Sequence, residues 1–133
     1  MVQRILVPTD GSDISAKAIQ AAIDLARLSG AQMVALSVKE PFPYSALSEI
    51  HPVSPQEFYD TQERLASERV KKAVDAAQAA GLTCKGSTVE ALHPWQAILD
   101  QAKAEACDLI VMASHGRRGL NALLLGSETQ KVL

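Results

Sequence analysis

The chain has 133 residues and a mass of 14.2 kDa, which is the size of a single domain spanning residues 1–133. Hydrophobic residues make up 47% of it, enough for one continuous core, which excludes a largely disordered chain. The net charge of −2 and the pI of about 5.9 exclude a strongly basic surface of the kind that binds nucleic acid.

The first half of the sequence alternates between strand and helix patterns. Val2–Val7 is a short β-rich run, and Gln32–Val38 is a second one. Between them, Asp13–Ser29 has apolar residues at helical spacing and is followed by Gly30, a helix stop. The segment at about residues 40–55 contains four prolines and is therefore predicted to be a long loop.

The second half continues the alternation. Its predicted elements are a long helix over Gln56–Ala80, a strand over Leu82–Val89, a helix over Pro94–Ala106, a fully apolar strand over Leu109–Ala113, a glycine-rich loop and a last helix that begins near Ser127. Apolar runs of this length are too short to cross a bilayer, and the first residues do not form a secretory signal. We therefore expect a cytoplasmic protein with neither a membrane nor a nucleic-acid partner.

This order of elements predicts an α/β fold built on a doubly wound, open parallel sheet of the Rossmann-like type. Strands that alternate with helices run parallel, and the helices cover both faces of the sheet. Ligands of such sheets bind beyond the carboxyl ends of the strands, where the strand order reverses. Two loops are predicted to emerge there, Pro8–Ser12 and Ser114–Ser127.

The loop over Ser114–Ser127 has the composition of a phosphate-binding segment. Gly116 permits a close backbone approach, and Gly126-Ser127 opens a predicted helix whose first N–H groups suit an anion. Arg117 adds positive charge. From these residues alone, the alternative of an ordinary turn followed by a serine N-cap is equally well supported.

Two cysteines and several aromatic residues have simpler interpretations. Cys84 and Cys107 lack metal-ligand spacing, so we expect buried thiols in a reducing compartment. Four of the five aromatic residues lie between Phe42 and Tyr59. They are interpreted either as an anchor for the long loop or as a lid over a ligand, and the anchor is favoured.

With these motifs, the sequence resembles the universal stress protein family, in its nucleotide-binding branch. The motif of that branch is Gly, two residues, Gly, nine residues, Gly, then Ser or Thr. Gly116 and Gly126-Ser127 match it with the correct spacing, whereas Ala113 replaces the first Gly. The Pro8–Ser12 loop (PTDGS) matches the end of the family's first strand, and the resemblance covers essentially the whole chain.

The resemblance implies an adenine nucleotide site. Pro8, Thr9 and Asp10 would border the adenosine, and Val38 would contact the adenine through its backbone. Asp10 has a competing interpretation as the N-cap of the first helix, although Ser12 could fill that position and leave Asp10 for the site.

The resemblance also implies where the rest of the nucleotide would lie. Met112, Ala113 and Gly116 would line the path of the ribose and phosphates, and Gly126 and Ser127 would hold the outer phosphates. Two features would weaken binding, because Ala113 adds a methyl group and Glu128 places a carboxylate beside the phosphates. A Mg²⁺ ion bridging that carboxylate and the phosphates would offset the repulsion.

The function expected from the resemblance is a regulatory, ATP-binding stress-response or signalling module with little or slow hydrolysis. No catalytic residues can be assembled, and the expected partners are an adenine nucleotide, a second copy of the chain in a homodimer and an unidentified protein. The alternative is a dimeric interaction module that has lost nucleotide binding. Family members have a fifth parallel strand after the last helix, so the sequence also predicts that Leu109–Ala113 is an exposed edge and that 133 residues are not the full length.

Overall fold

The computed structural model describes residues 2–42, 54–113 and 120–124, with the backbone alone described for Ala113 and for residues 120–124. Eight elements follow one another along the chain. They are β1 (Arg4–Pro8), α1 (Asp13–Ser29), β2 (Gln32–Lys39), α2 (Pro55–Ala79), β3 (Cys84–Glu90), α3 (Pro94–Ala104), β4 (Leu109–Ala113) and β5 (Leu120–Leu124).

The strands form one sheet in the order β3-β2-β1-β4-β5. The first four strands are parallel, which confirms the predicted α/β fold. The chain moves outward from β1 to β2 and β3, and then crosses to the other side of β1 to form β4. The strand order therefore reverses between β1 and β4, and this is the position at which sheets of this type bind ligands.

The helices cover both faces of the sheet, as predicted. On one face, α1 and α2 bury a core that includes Ile5, Val7, Ile23, Met33 and Val111. On the other face, α3 packs Ile98 and Ala102 against strand residues such as Leu6, Leu36 and Ile110. No helix in the described part of the chain is long and apolar enough to cross a membrane.

Helix α1 begins and ends at the predicted residues because both ends carry specific signals. The Ser12 side chain accepts a hydrogen bond from the Ser15 backbone N–H at 3.1 Å, so Ser12 is the N-cap. Gly30 ends the helix with a φ of +75°, a left-handed conformation that glycine adopts without steric cost. The N-terminus of α1 is thereby fixed directly after β1.

Strand β5 corrects two of the sequence predictions. Residues 120–124 form a strand instead of part of a loop, and they pair antiparallel with β4, with Leu109 opposite Leu124. Strand β4 is consequently flanked by β1 and β5 and is not the exposed edge that the sequence predicts. Only six residues separate β5 from β4. This is enough for antiparallel pairing, because antiparallel neighbours need only a short connection.

The remaining predictions agree with the structure to within a few residues or lie outside the described residues. Strand β3 starts at Cys84 instead of Leu82, and α3 ends at Ala104 instead of Ala106. Most of the proline-rich loop, the glycine-rich segment 114–119 and the helix expected near Ser127 lie outside the described residues. Phe42, just before the undescribed part of the proline-rich loop, is 5% exposed and packs edge-on against Phe58, which supports its interpretation as an anchor.

Candidate functional site

A cavity of about 520 Å³ lies at the carboxyl ends of β1, β2 and β4. Its volume is within the range of about 300–1,000 Å³ that is usual for small-molecule sites. The lining residues come from the loop after β1, the end of β2, one side of α2, the start of α3 and the end of β4. They are Pro8, Thr9, Asp10, Ser12, Ser15, Leu36, Val38, Glu40, Gln62, Arg69, Pro94, Ile98 and Met112.

The loop after β1 is held rigidly by hydrogen bonds between its own residues. The Thr9 N–H donates to the Leu36 carbonyl at 2.8 Å, which ties the loop to β2. The Thr9 hydroxyl is buried, lies 3.2 Å from the Ser15 hydroxyl and accepts a hydrogen bond from the Gly11 N–H at 3.3 Å. The polar groups of Thr9 thus position the loop, although its surface also lines the cavity.

Asp10 follows Thr9 at the mouth of the cavity. Its Oδ1 accepts a hydrogen bond from the Ser12 N–H at 2.9 Å, while the N-cap position of α1 belongs to Ser12. Hydrogen bonding from Ser12, through its side chain and also its backbone, holds the pKa of Asp10 below its usual value despite partial burial, which acts in the opposite direction. Asp10 is therefore an exposed carboxylate, ionised at neutral pH, on the rim of the cavity.

Val38 presents unpaired backbone groups to the same cavity. The even-numbered residues of β2 direct their N–H and C=O groups toward β1, because Gln32 donates to Gln3 and Leu36 accepts from Thr9. The pairing of β1 with β2 ends at Pro8 opposite Leu36. Val38, two residues further on, therefore projects its N–H and C=O past the end of β1, and no described residue there pairs with them.

Two residues of α2 line the cavity and were missed in the sequence. Gln62 and Arg69 are seven residues apart, so they lie on the same side of the helix, two turns from each other. The Arg69 side chain lies beside Gly11, since its Cγ and Nε are each 3.1 Å from the position that a Cβ at residue 11 would occupy. Arg69 forms no ion pair or hydrogen bond with any residue in the described ranges.

The predicted site residues fall into two groups. Pro8, Thr9, Asp10, Val38 and Met112 are brought together around the cavity. Ala113 is described only as the last residue of β4, where its backbone pairs with Leu120. The others, namely Gly116, Arg117, Gly126, Ser127 and Glu128, lie outside the described residues.

Other chemistry in the described part of the chain is limited. No group of three or more His, Cys, Asp or Glu side chains there is arranged to hold a metal ion.

A second cavity of about 350 Å³ lies beside α3, and its lining includes Leu92, His93 and Asp100. His93 occupies the N-cap position of α3 without a side-chain capping bond.

Comparison with known proteins identifies the relatives of this chain. A model of the universal stress protein family matches residues 1–133. The chain is 35% identical to the universal stress protein YxiE of Bacillus subtilis over 139 residues, covering 99% of this chain and 92% of that protein. It is 30% identical to the universal stress protein MJ0531 of Methanocaldococcus jannaschii over 133 residues, covering 100% of this chain and 76% of that protein.

Solved structures share the fold. A universal stress protein family member from Burkholderia pseudomallei superimposes with a TM-score of 0.73 at 24% identity, covering 86% of this chain and 83% of that one. A universal stress protein in complex with cAMP gives 0.60 at 28% identity, with coverages of 82% and 74%. A family protein from Arabidopsis thaliana with AMP bound gives 0.64 at 17% identity, with coverages of 86% and 78%. By sequence and by fold, this chain belongs to the universal stress protein family.

Proposed function

We propose that this chain binds an adenine nucleotide in the cavity at the carboxyl ends of β1, β2 and β4. The observation that carries the proposal is the open backbone edge of Val38, which projects an N–H donor and a C=O acceptor past the last pair of the β1–β2 register. The N1 acceptor and the exocyclic amino donor of adenine complement these two groups. The family member in complex with cAMP supports the same class of ligand.

The loop after β1 suits the sugar of such a ligand. The Asp10 carboxylate is ionised, lines the cavity and is held in place by the Ser12 N–H. A carboxylate accepts hydrogen bonds from sugar hydroxyls, so Asp10 would orient the ribose. Pro8 and Met112 would pack against the apolar faces of the nucleoside, since both line the same cavity.

We expect the outer phosphates of ATP to contact the segment after β4, which the sequence motif identifies through Gly116, Arg117, Gly126 and Ser127. Mg²⁺ would bind together with the nucleotide through the phosphates, aided by Glu128. This is how Mg²⁺ usually binds in proteins, since it takes one or two carboxylates together with substrate phosphates.

The biological role that we propose is regulatory. Nucleotide occupancy would control a homodimer or the choice of a protein partner, with little or slow ATP hydrolysis, in the cytoplasm. A domain that reports nucleotide levels needs a ligand-dependent change in its stability or its surface, and a bound ligand stabilises the folded state by mass action.

Two measurements test this proposal. Protein purified from cells should carry an adenine nucleotide that mass spectrometry identifies after denaturation. Nucleotide-free protein should bind Mg-ATP with a Kd of about 1–100 μM, an affinity of about 5.5–8 kcal/mol by calorimetry.

Absence of heat and of a thermal shift at millimolar ATP would contradict the proposal. Gain of binding in the double variant Ala113→Gly, Glu128→Val under those conditions would then identify a module that has lost nucleotide binding.

A further inference from the structure

Three backbone N–H groups at the end of β1 and the start of α1 are already engaged in hydrogen bonds. The N–H groups of Gly11, Ser12 and Ser15 already donate to the side chains of Thr9, Asp10 and Ser12 respectively. An anion at this end of the cavity does not find these three donors free, so a positively charged side chain would be its strongest partner.

The charges around the cavity identify that partner. Two carboxylates line it, those of Asp10 and Glu40, and both repel an anion. Among the described lining residues, Arg69 alone carries a positive charge. A phosphate would consequently be placed next to Arg69, which supplies the positive charge in the described lining.

The Arg69 guanidinium is available for this role. Two other basic residues of α2 are already paired, since Arg64 lies 3.5 Å from Glu68 and Lys71 lies 2.8 Å from Asp75. Arg69 has no such partner among the described residues, although it is only half-exposed. A planar guanidinium with five N–H donors matches phosphate oxygens in a bidentate arrangement, which a lysine ammonium does not reproduce.

Gly11 leaves the space that the Arg69 side chain occupies. A Cβ at residue 11 would lie 3.1 Å from both Cγ and Nε of Arg69, and the φ of +82° disfavours any other residue there. The absence of a side chain at Gly11 therefore allows the arginine stem to cross the loop close to Asp10. This close approach brings Arg69 of α2 next to the loop residues that line the cavity.

We propose that Arg69 binds the phosphate attached to the ribose, and that it makes the site select nucleotides over nucleosides. This proposal rests on the proposed adenine nucleotide site and assigns the selectivity for the phosphate to a residue of α2. Asp10 and Arg69 then recognise adjacent parts of one ligand, the sugar hydroxyls and the first phosphate.

The test compares the binding of AMP and of adenosine by calorimetry in wild type and variants. Arg69→Met retains an unbranched apolar stem without the charge and should lower AMP affinity about tenfold to a hundredfold, the usual effect of losing a hydrogen bond to a charged group. Adenosine affinity should change less than about twofold, and Arg69→Lys should restore part of the AMP affinity. Arg64→Met, on the same helix but outside the cavity, should bind both ligands as wild type does.

A second variant tests the contact with Gly11. Gly11→Ala should displace the arginine and lower the ratio of AMP affinity to adenosine affinity. This change in the ratio should largely vanish when Arg69 is already Met, because both changes remove the same contact with the phosphate. Circular dichroism confirms that each variant is folded.

The Arg69 assignment is overturned if wild type binds AMP and Arg69→Met binds it equally well, or if AMP and adenosine lose affinity together. Wild type that binds neither ligand overturns the nucleotide site itself, so the two failures are distinguishable.

Discussion

The Asp10 carboxylate accepts the backbone N–H of Ser12 at 2.9 Å, while the Ser12 hydroxyl accepts the N–H of Ser15 at 3.1 Å. Two polar residues of the loop after β1, separated by Gly11, thus have separate functions. Ser12 caps α1, and Asp10 remains at the rim of the cavity with its Oδ1 held by the Ser12 N–H. This arrangement makes a carboxylate available to a ligand without leaving the helix uncapped.

Separate substitutions of these two residues should produce separable effects. Ser12→Ala removes the N-cap acceptor and should lower the free energy of unfolding by about 1 kcal/mol. Asp10→Asn keeps the cap and an acceptor for the Ser12 N–H, so it should change stability little but weaken AMP and adenosine binding about tenfold. Thermal melts and calorimetry on both variants check this, and an Asp10→Asn variant that binds normally would exclude Asp10 from the site.

The pKa of Asp10 gives a prediction about pH. Because hydrogen bonding from Ser12 lowers this pKa in the folded state, the carboxylate stabilises the fold above its unfolded pKa. This contribution is lost as the pH falls through the lower, folded pKa, in a window below about pH 4. An NMR titration of the Asp10 carboxyl should give a midpoint below 3.8, its ordinary value. A midpoint above that value would contradict the described loop.

Val70 of α2 packs directly against Gly86 of β3, the strand at the edge of the sheet. A Cβ at Gly86 would clash with Cγ1 of Val70 and lie 3.3 Å from Cγ2 of Val74. Gly86→Ala should therefore destabilise the protein by about 1–3 kcal/mol, the usual cost of overpacking.

A second substitution, at Val70, provides the control for that prediction. In the background of Val70→Ala the added methyl has space, so Gly86→Ala should cost clearly less there than in wild type. Urea denaturation of the four proteins in this cycle gives the coupling energy. Equal costs in both backgrounds would mean that the two residues do not pack as described.

The two cysteines should be unreactive in the folded protein. Cys107 is 6% exposed, and burial raises the pKa of its thiol to about 11. Burial also raises the pKa of the Cys84 thiol. Since the thiolate is the reactive form, a disulfide reagent at neutral pH should modify both thiols only after denaturant is added. Rapid modification of the native protein would contradict their burial.

Local signals allowed much of this fold to be predicted from sequence, and their absence explains what could not be predicted. Helix α1 carries a capping serine and a terminal glycine, and both of its ends were predicted correctly. Strand β5 lies in a segment with glycines on both sides, and a run of five mostly apolar residues does not distinguish a strand from other structure. Its pairing with β4 depends on tertiary contact, which no local pattern reports.

The cavity was only partly predictable for a similar reason. Asp10 follows the end of β1 and Val38 lies near the end of β2, so the topology of the sheet alone brings them together. Arg69 comes from a helix that is remote in sequence. One signal for it was present, because Arg69 lies between Ala66 and Ala73, which are both buried on the sheet-facing side of α2. A charged residue in register with such a buried stripe usually has a specific partner.

Amide chemical-shift mapping tests most directly whether the nucleotide binds in the cavity at the carboxyl ends of β1, β2 and β4. Addition of AMP to nucleotide-free, isotope-labelled protein should shift the amides of Thr9, Asp10 and Val38. It should leave those of Ala91 and the other residues around the second cavity unchanged. Shifts confined to that second cavity, or no shifts at millimolar AMP, would contradict the proposed site.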